Sequence, residues 1–136
     1  MPSIRLTTLG TRRVAGRILT ILANTNRLYS MITQTGIARL CQKIAERFAP
    51  VRIILFGSRA GGRPDKDSDV DLLVVMRYKG MSVRKAAEIL NAVEPEFPVD
   101  LIVRSPDEVE TRLAMKDPFF AEILQRGKVL YEAAHA

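Results

Sequence analysis

Residues 56–75, FGSRAGGRPDKDSDVDLLVV, run from a glycine-rich loop through four alternating aspartates into a strongly apolar stretch. The last two aspartates, Asp69 and Asp71, open a segment whose other residues favour burial. Side chains alternate across a strand, so Asp69 and Asp71 point one way, Val70 the other, and Leu73 and Val75 continue the carboxylates' face into the sheet. The anomaly recurs downstream, where Asp100 sits inside VDLIV, residues 99–103. If these two strands are neighbours, one cluster holds three carboxylates. Two like charges ~4 Å apart repel by about 4 kcal/mol at an effective dielectric of 20. Shared protons, basic partners or a bound divalent cation would each relieve that repulsion. A donor set of hard oxygens, without histidine or cysteine, suits Mg²⁺ or Mn²⁺.

The loop excludes several familiar chemistries. Gly57 and Gly62 have the spacing of a GxxxxGK[ST] phosphate loop, but Arg63-Pro64 replaces the Lys-Ser/Thr pair and a strand follows where that motif needs a helix. Asp65, Asp67 and Asp69 resemble the opening of a calcium loop, yet Val70 stands at its glycine position and Met76 at its glutamate position. Ser58 has no histidine within reach to activate it as a nucleophile. What is left is Gly57-Ser58, ten residues, then Asp69-Val70-Asp71. Glycine lets the backbone approach a ligand closely. Turn N–H groups and the Ser58 hydroxyl can hold phosphate oxygens while carboxylates hold metal ions on the same phosphates.

Outward from this stretch the chain reads as mixed α/β. Ile37, Leu40, Cys41, Ile44, Ala45 and Phe48 form one helical stripe from Gln34 onward, with Pro50 just past its end. Cys41 on that stripe reads as a core residue. VRIILF (51–56) is a buried strand, 57–68 a loop, and 69–77 a second strand. Ser82 is placed to cap a helix over 83–94, and Pro95 and Pro98 lead into the third strand. Ser105-Pro106-Asp107-Glu108 carries a capping signature, Asp117-Pro118 starts another helix running to Gln125, and Gly127 stops it. KVLYE (128–132) is a short final strand. Phe119, Phe120, Tyr78 and Tyr131 read as packing residues.

The chain has 136 residues and a formal charge of +6. Residues 1–30 carry five arginines and no acid; taking those five from 21 basic residues leaves 16 against 15 acidic ones in residues 31–136. The body is nearly neutral, which argues against nucleic acid as the partner. Residues 1–30 have a transit-peptide-like composition, or form a basic arm that folds on a partner, or lie outside the natural fold with Met31 as the start; the last is the expectation, with a single domain over 31–136. One cysteine allows no intrachain disulfide, and His135, the single histidine and one residue from the C-terminus, argues against a histidine-based triad or a histidine-rich metal site. No apolar run reaches the ~18–20 residues of a membrane span.

Gly57-Ser58 after an apolar strand, Asp69-x-Asp71 and a later Asp100 in an apolar strand resemble the minimal nucleotidyltransferases of the DNA polymerase β superfamily. The resemblance covers roughly residues 37–132. The FGSRA opening, the ten-residue spacer and the SDVDLLV continuation are similar to the stand-alone antitoxins paired with HEPN ribonuclease toxins. The resemblance implies a small mixed sheet flanked by helices, a cytoplasmic protein, and transfer of AMP from ATP to a tyrosine of the toxin. It implies two Mg²⁺ ions on Asp69 and Asp71, with Asp100 binding one and accepting the acceptor's proton. Gly57 and Ser58 would hold the terminal phosphates, and Arg59 would add charge there. Gly61 departs from the pattern, in which that position often carries a charged residue; the departure loosens the loop. Neutralisation of the partner by contact alone, or transfer to a small molecule, are the alternatives. The pattern leaves a homo- or hetero-oligomer open.

Overall fold

The computed structural model describes residues 32–61 and 69–134; the expectations for residues 1–30 and for most of the loop lie outside them. Eight elements follow in chain order: α1 (Gln34–Phe48), β1 (Arg52–Phe56), β2 (Val70–Val75), α2 (Ser82–Val93), β3 (Val99–Arg104), α3 (Pro106–Ala114), α4 (Pro118–Arg126) and β4 (Lys128–Glu132). The strands form one mixed sheet in the order β3-β2-β1-β4. β1 pairs antiparallel with both β2 and β4, whereas β2 and β3 run parallel, joined through α2. This is the α/β architecture, a small mixed sheet flanked by helices, that the sequence predicts.

Each face of the sheet buries a separate core. On one face Leu40, Cys41 and Ile44 of α1 and Ile89 and Val93 of α2 pack against Ile53, Leu55, Leu72, Val74 and Val103. On the other, Val109 of α3 and Phe120 and Ile123 of α4 cover Ile54, Leu73 and Val75. Central strand β2 is covered on both sides, which is why LLVV reads as a continuous apolar run. Burial pushes the Cys41 thiol up to about 11, so it stays protonated as a core group.

Local signals set the helix ends. Thr33 Oγ1 accepts from Gly36 N at 3.2 Å and begins α1. Ser105 and Glu108 form the expected capping box, and Asp117 Oδ1 accepts from Phe119 N at 2.9 Å. The expected Ser82 cap is a correction. Met81 is the capping residue and makes no side-chain cap bond; Ser82 lies inside α2, and its hydroxyl accepts from Arg104 Nη1 at 3.1 Å. A guanidinium at the end of β3 outcompetes the helix's own N–H groups for that oxygen.

Gly127 ends α4 as expected, but for a different reason from a left-handed turn. Its φ is −71°, open to any residue. What excludes a side chain is space: a Cβ would lie 2.3 Å from Ile123 O and 2.7 Å from Ile54 Cγ2. Here α4 passes directly into β4 against β1. Gly127→Ala is therefore expected to destabilise the fold by about 1–3 kcal/mol through overpacking, read as a lower Tm in thermal unfolding, with helix content retained below the transition.

Candidate active site

The carboxylates meet at the end of the sheet where β1 leaves and β2 and β3 begin. In the parallel β2–β3 pair Asp71 lies directly across from Asp100, and in the antiparallel β1–β2 pair Asp71 faces Phe56. Side-chain alternation puts Asp71 on the face of Leu73 and Val75, and Asp100 on the face of Ile102. This is the open end of the face that α3 and α4 cover further along. Val70 N donates to Pro98 O at 3.2 Å, which holds the start of β2 against the segment entering β3. Asp69 sits one residue before β2.

Asp71 lies within electrostatic reach of both other carboxylates. Burial raises the Asp71 carboxyl above its ordinary value, and the charges of Asp100 and then Asp69 raise it further. Asp71 is half-buried while Asp69 and Asp100 are exposed, so Asp71 bears the desolvation. Among the described residues, no lysine or arginine forms an ion pair with any of the three. Nor, among the described residues, do three ligating side chains stand close enough together to grip one metal ion. The donor set still fits a hard divalent cation: carboxylates only, two of them in register, with the central one suffering a repulsion that a cation would reverse.

Gly57 closes the site from the β1 side. Its φ is +76°, and a Cβ there would fall 2.2 Å from Asp71 Oδ2. Two independent constraints thus require glycine: left-handed backbone and the carboxylate lying against it. The chain then turns tightly, with Ala60 N donating to Gly57 O at 3.1 Å and Gly61 N to Ser58 O at 3.2 Å. In such a turn the earlier N–H groups, as at Ser58, have no acceptor within it, like those of a helix's first turn. Ser58 is exposed at this corner. Gly61, by contrast, would tolerate a side chain: its nearest neighbours to a Cβ lie at 3.6 and 4.0 Å.

Arg59 is not brought to the carboxylates. Its Nη1 reaches toward Ile32 O at 3.5 Å, and its side chain lines a groove of about 880 Å³ between α1 and β4. That groove contains Cys41 and Leu55, whose face is opposite that of Asp71.

A feature invisible in the motif lies on the β4 side. Pairing of Leu55 with Lys128 draws the end of α4 alongside the Gly57 turn. A slot of about 320 Å³ forms there, lined by Gly57, Gly61, Phe119, Glu122, Ile123 and Arg126, with Phe56 at its edge. The Phe119 ring packs edge-on against Phe56, centroids 5.7 Å apart. Phe119 is half-exposed here, whereas Phe120 is core. The helical spacing of Phe119, Glu122, Ile123 and Arg126 places them on one face, but no local signal shows which strand end they meet.

Comparison with known proteins agrees with this geometry. The model of the nucleotidyltransferase domain family matches residues 37–131, well over half of the chain. The protein belongs to that family, whose chemistry is nucleotidyl transfer. The fold also matches a crystal structure from Sulfolobus solfataricus, provisionally described as a nucleotidyltransferase, with a TM-score of 0.55 and 19% identity over 79% of this chain and 86% of that one. No curated protein matches the chain.

Two outcomes follow from the Asp71–Gly57 contact. Gly57→Ala is expected to displace Asp71 and reduce nucleotidyl transfer about 100-fold, the usual penalty for misplacing a reacting group by ~1 Å, in a single-turnover assay. Asp71→Asn is expected to raise Tm in metal-free buffer at pH 7. Because the folded-state pKa of Asp71 is raised, the folded state binds its proton more tightly than the unfolded state, so ionisation destabilises the fold as pH rises through that pKa. The mutant's advantage should shrink as pH falls toward the ordinary carboxylate value of 3.8. An advantage independent of pH would contradict the assignment.

Proposed function

We propose that this protein transfers AMP from ATP to a tyrosine hydroxyl of a partner protein, a HEPN-type toxin, and thereby acts as its antitoxin. The observation that carries the transfer reading is the register of Asp71 with Asp100 beside a glycine turn whose backbone lies against the Asp71 carboxylate. The antitoxin reading rests on the resemblance of residues 56–75 stated above.

Asp69, Asp71 and Asp100 are the residues that would hold magnesium, two ions in all, with Asp100 sharing one of them. Magnesium, when bound, neutralises phosphate charge and orients the triphosphate for in-line displacement. The protein's own part is positioning. The Ser58 hydroxyl and the backbone N–H groups of Gly57-Ser58 hold the terminal phosphates. Asp100, exposed at the open end of the sheet, takes the proton of the acceptor hydroxyl. The acceptor oxygen then bonds to the α-phosphorus, the bond to the bridging oxygen breaks, and pyrophosphate leaves with the electron pair. The Arg59 Nη1 donates toward Ile32 O at 3.5 Å, so the scheme assigns the phosphates to Gly57 and Ser58 first.

The test is label transfer from ATP to the purified partner in the presence of Mg²⁺. Label on the α-phosphate should move to the partner and label on the γ-phosphate should not. Asp71→Asn and Asp100→Asn should each lower the rate at least about 100-fold. Replacing the partner's modified tyrosine by phenylalanine should abolish labelling. Absence of transfer from wild type across Mg²⁺ and Mn²⁺ would refute the proposal. Full protection by an Asp69→Asn/Asp71→Asn double mutant at normal abundance would show that contact alone suffices.

A further inference from the structure

The slot between the Gly57 turn and α4 is unassigned by the motif and adjoins the carboxylates across one strand. In the strand order β3-β2-β1-β4, the end of the sheet presents Asp100, then Asp71, then the Gly57 turn, then Gly127 with Arg126. A polyphosphate anchored at Asp71 and Asp100 and passing the turn points toward this slot. From β2 to β4 is two strand spacings, about 10 Å, a distance that a triphosphate and an extended arginine span together.

We propose that Arg126 binds the terminal phosphates of the donor nucleotide, and the leaving pyrophosphate, in the position that the sequence motif assigns to Arg59. This rests on the nucleotidyl-transfer reading above. Three observations support it. Arg126 lines the same slot as Gly57 and Gly61, the two ends of the phosphate-facing turn. Phe56, Ala60, Phe119 and Ile123 give the slot apolar walls, with Glu122 as its other charged group, and low-dielectric walls strengthen a cation's field at the mouth. A guanidinium also matches phosphate oxygens with a planar two-donor fork.

Glu122 is the counterweight. Its Oε1 lies 3.9 Å from Arg126 Nη1, one helical turn back on α4, with the two side chains 67% and 81% exposed. So exposed a pair at that distance binds weakly, and Arg126 can exchange it for phosphate. Glu122 therefore opposes polyphosphate binding while Arg126 favours it, so the two residues give effects of opposite sign.

The experiment is calorimetric titration of the full chain with Mg·ATP, Mg·pyrophosphate and AMP. Both positions are on the exposed face of α4, so folding is unaffected by the changes. Arg126→Ala should weaken ATP and pyrophosphate about 5–10-fold and leave AMP, which lacks terminal phosphates, unchanged. Arg126→Lys should recover part of the loss. Glu122→Gln should tighten ATP about twofold, and both effects should fade at high salt. Wild-type affinity for ATP in Arg126→Ala, or equal losses for ATP and AMP, would overturn the role of Arg126 while leaving the transfer reading intact. A wild-type protein that binds neither ATP nor pyrophosphate would overturn both.

Discussion

A repulsive contact organises this molecule. Parallel pairing of β2 and β3 sets Asp71 beside Asp100, and burial together with the neighbouring carboxylates lifts the Asp71 proton affinity. No native sheet gains stability from such an arrangement. It persists because the apolar residues of the same strands, Leu72, Leu73, Val74 and Val103, are almost wholly buried and fix the register regardless of what the strand ends carry. One residue's slip would send every side chain of β2 to the wrong face. The core on both faces of the sheet thus holds the acidic groups in a position they would not choose, the usual relation between a stable scaffold and a strained site.

The elements near in sequence were legible because their signals are local. The α1 stripe, the capping box at Ser105 and the Asp117 start all depend on residues within four positions of one another, and all form as read. The pairing of Asp71 with Asp100 depends on two strands separated by a whole helix, so the sequence supports it only as a condition. Where the reading failed, a distant group had intervened: Ser82 has the composition of a cap, but Arg104 takes its hydroxyl. Gly127 does end its helix as read, and distant groups add the reason, since Ile54 and Leu55 leave no room there for a side chain.

The same limit governs the site. Gly57 was legible because glycine at a strand end before a serine is a local signal, and the structure adds a second reason in the Asp71 carboxylate. Arg59 follows directly in sequence yet its side chain crosses to the other face, because a tight turn swings successive side chains in different directions. Among the described residues, a cation that does stand beside the turn, Arg126, comes from a helix near the C-terminus and arrives through the β1–β4 pairing. Motifs capture residues that neighbours in sequence must place; they miss those delivered by the fold.

The hairpin that joins β1 to β2 separates chemistry from connection. Phe56 and Asp71 are cross-strand partners, so the ladder fixes both ends of the intervening chain and its length does not set the distance between turn and carboxylates. Closing a longer loop between fixed ends raises the free energy slowly, by only about 0.6 kcal/mol per doubling. The stretch between the Gly57 turn and Asp69, to which the reaction assigns no role, is therefore open to insertion and substitution over evolutionary time. Relatives could diversify whom they recognise by rewriting it while the reaction centre stays as it is.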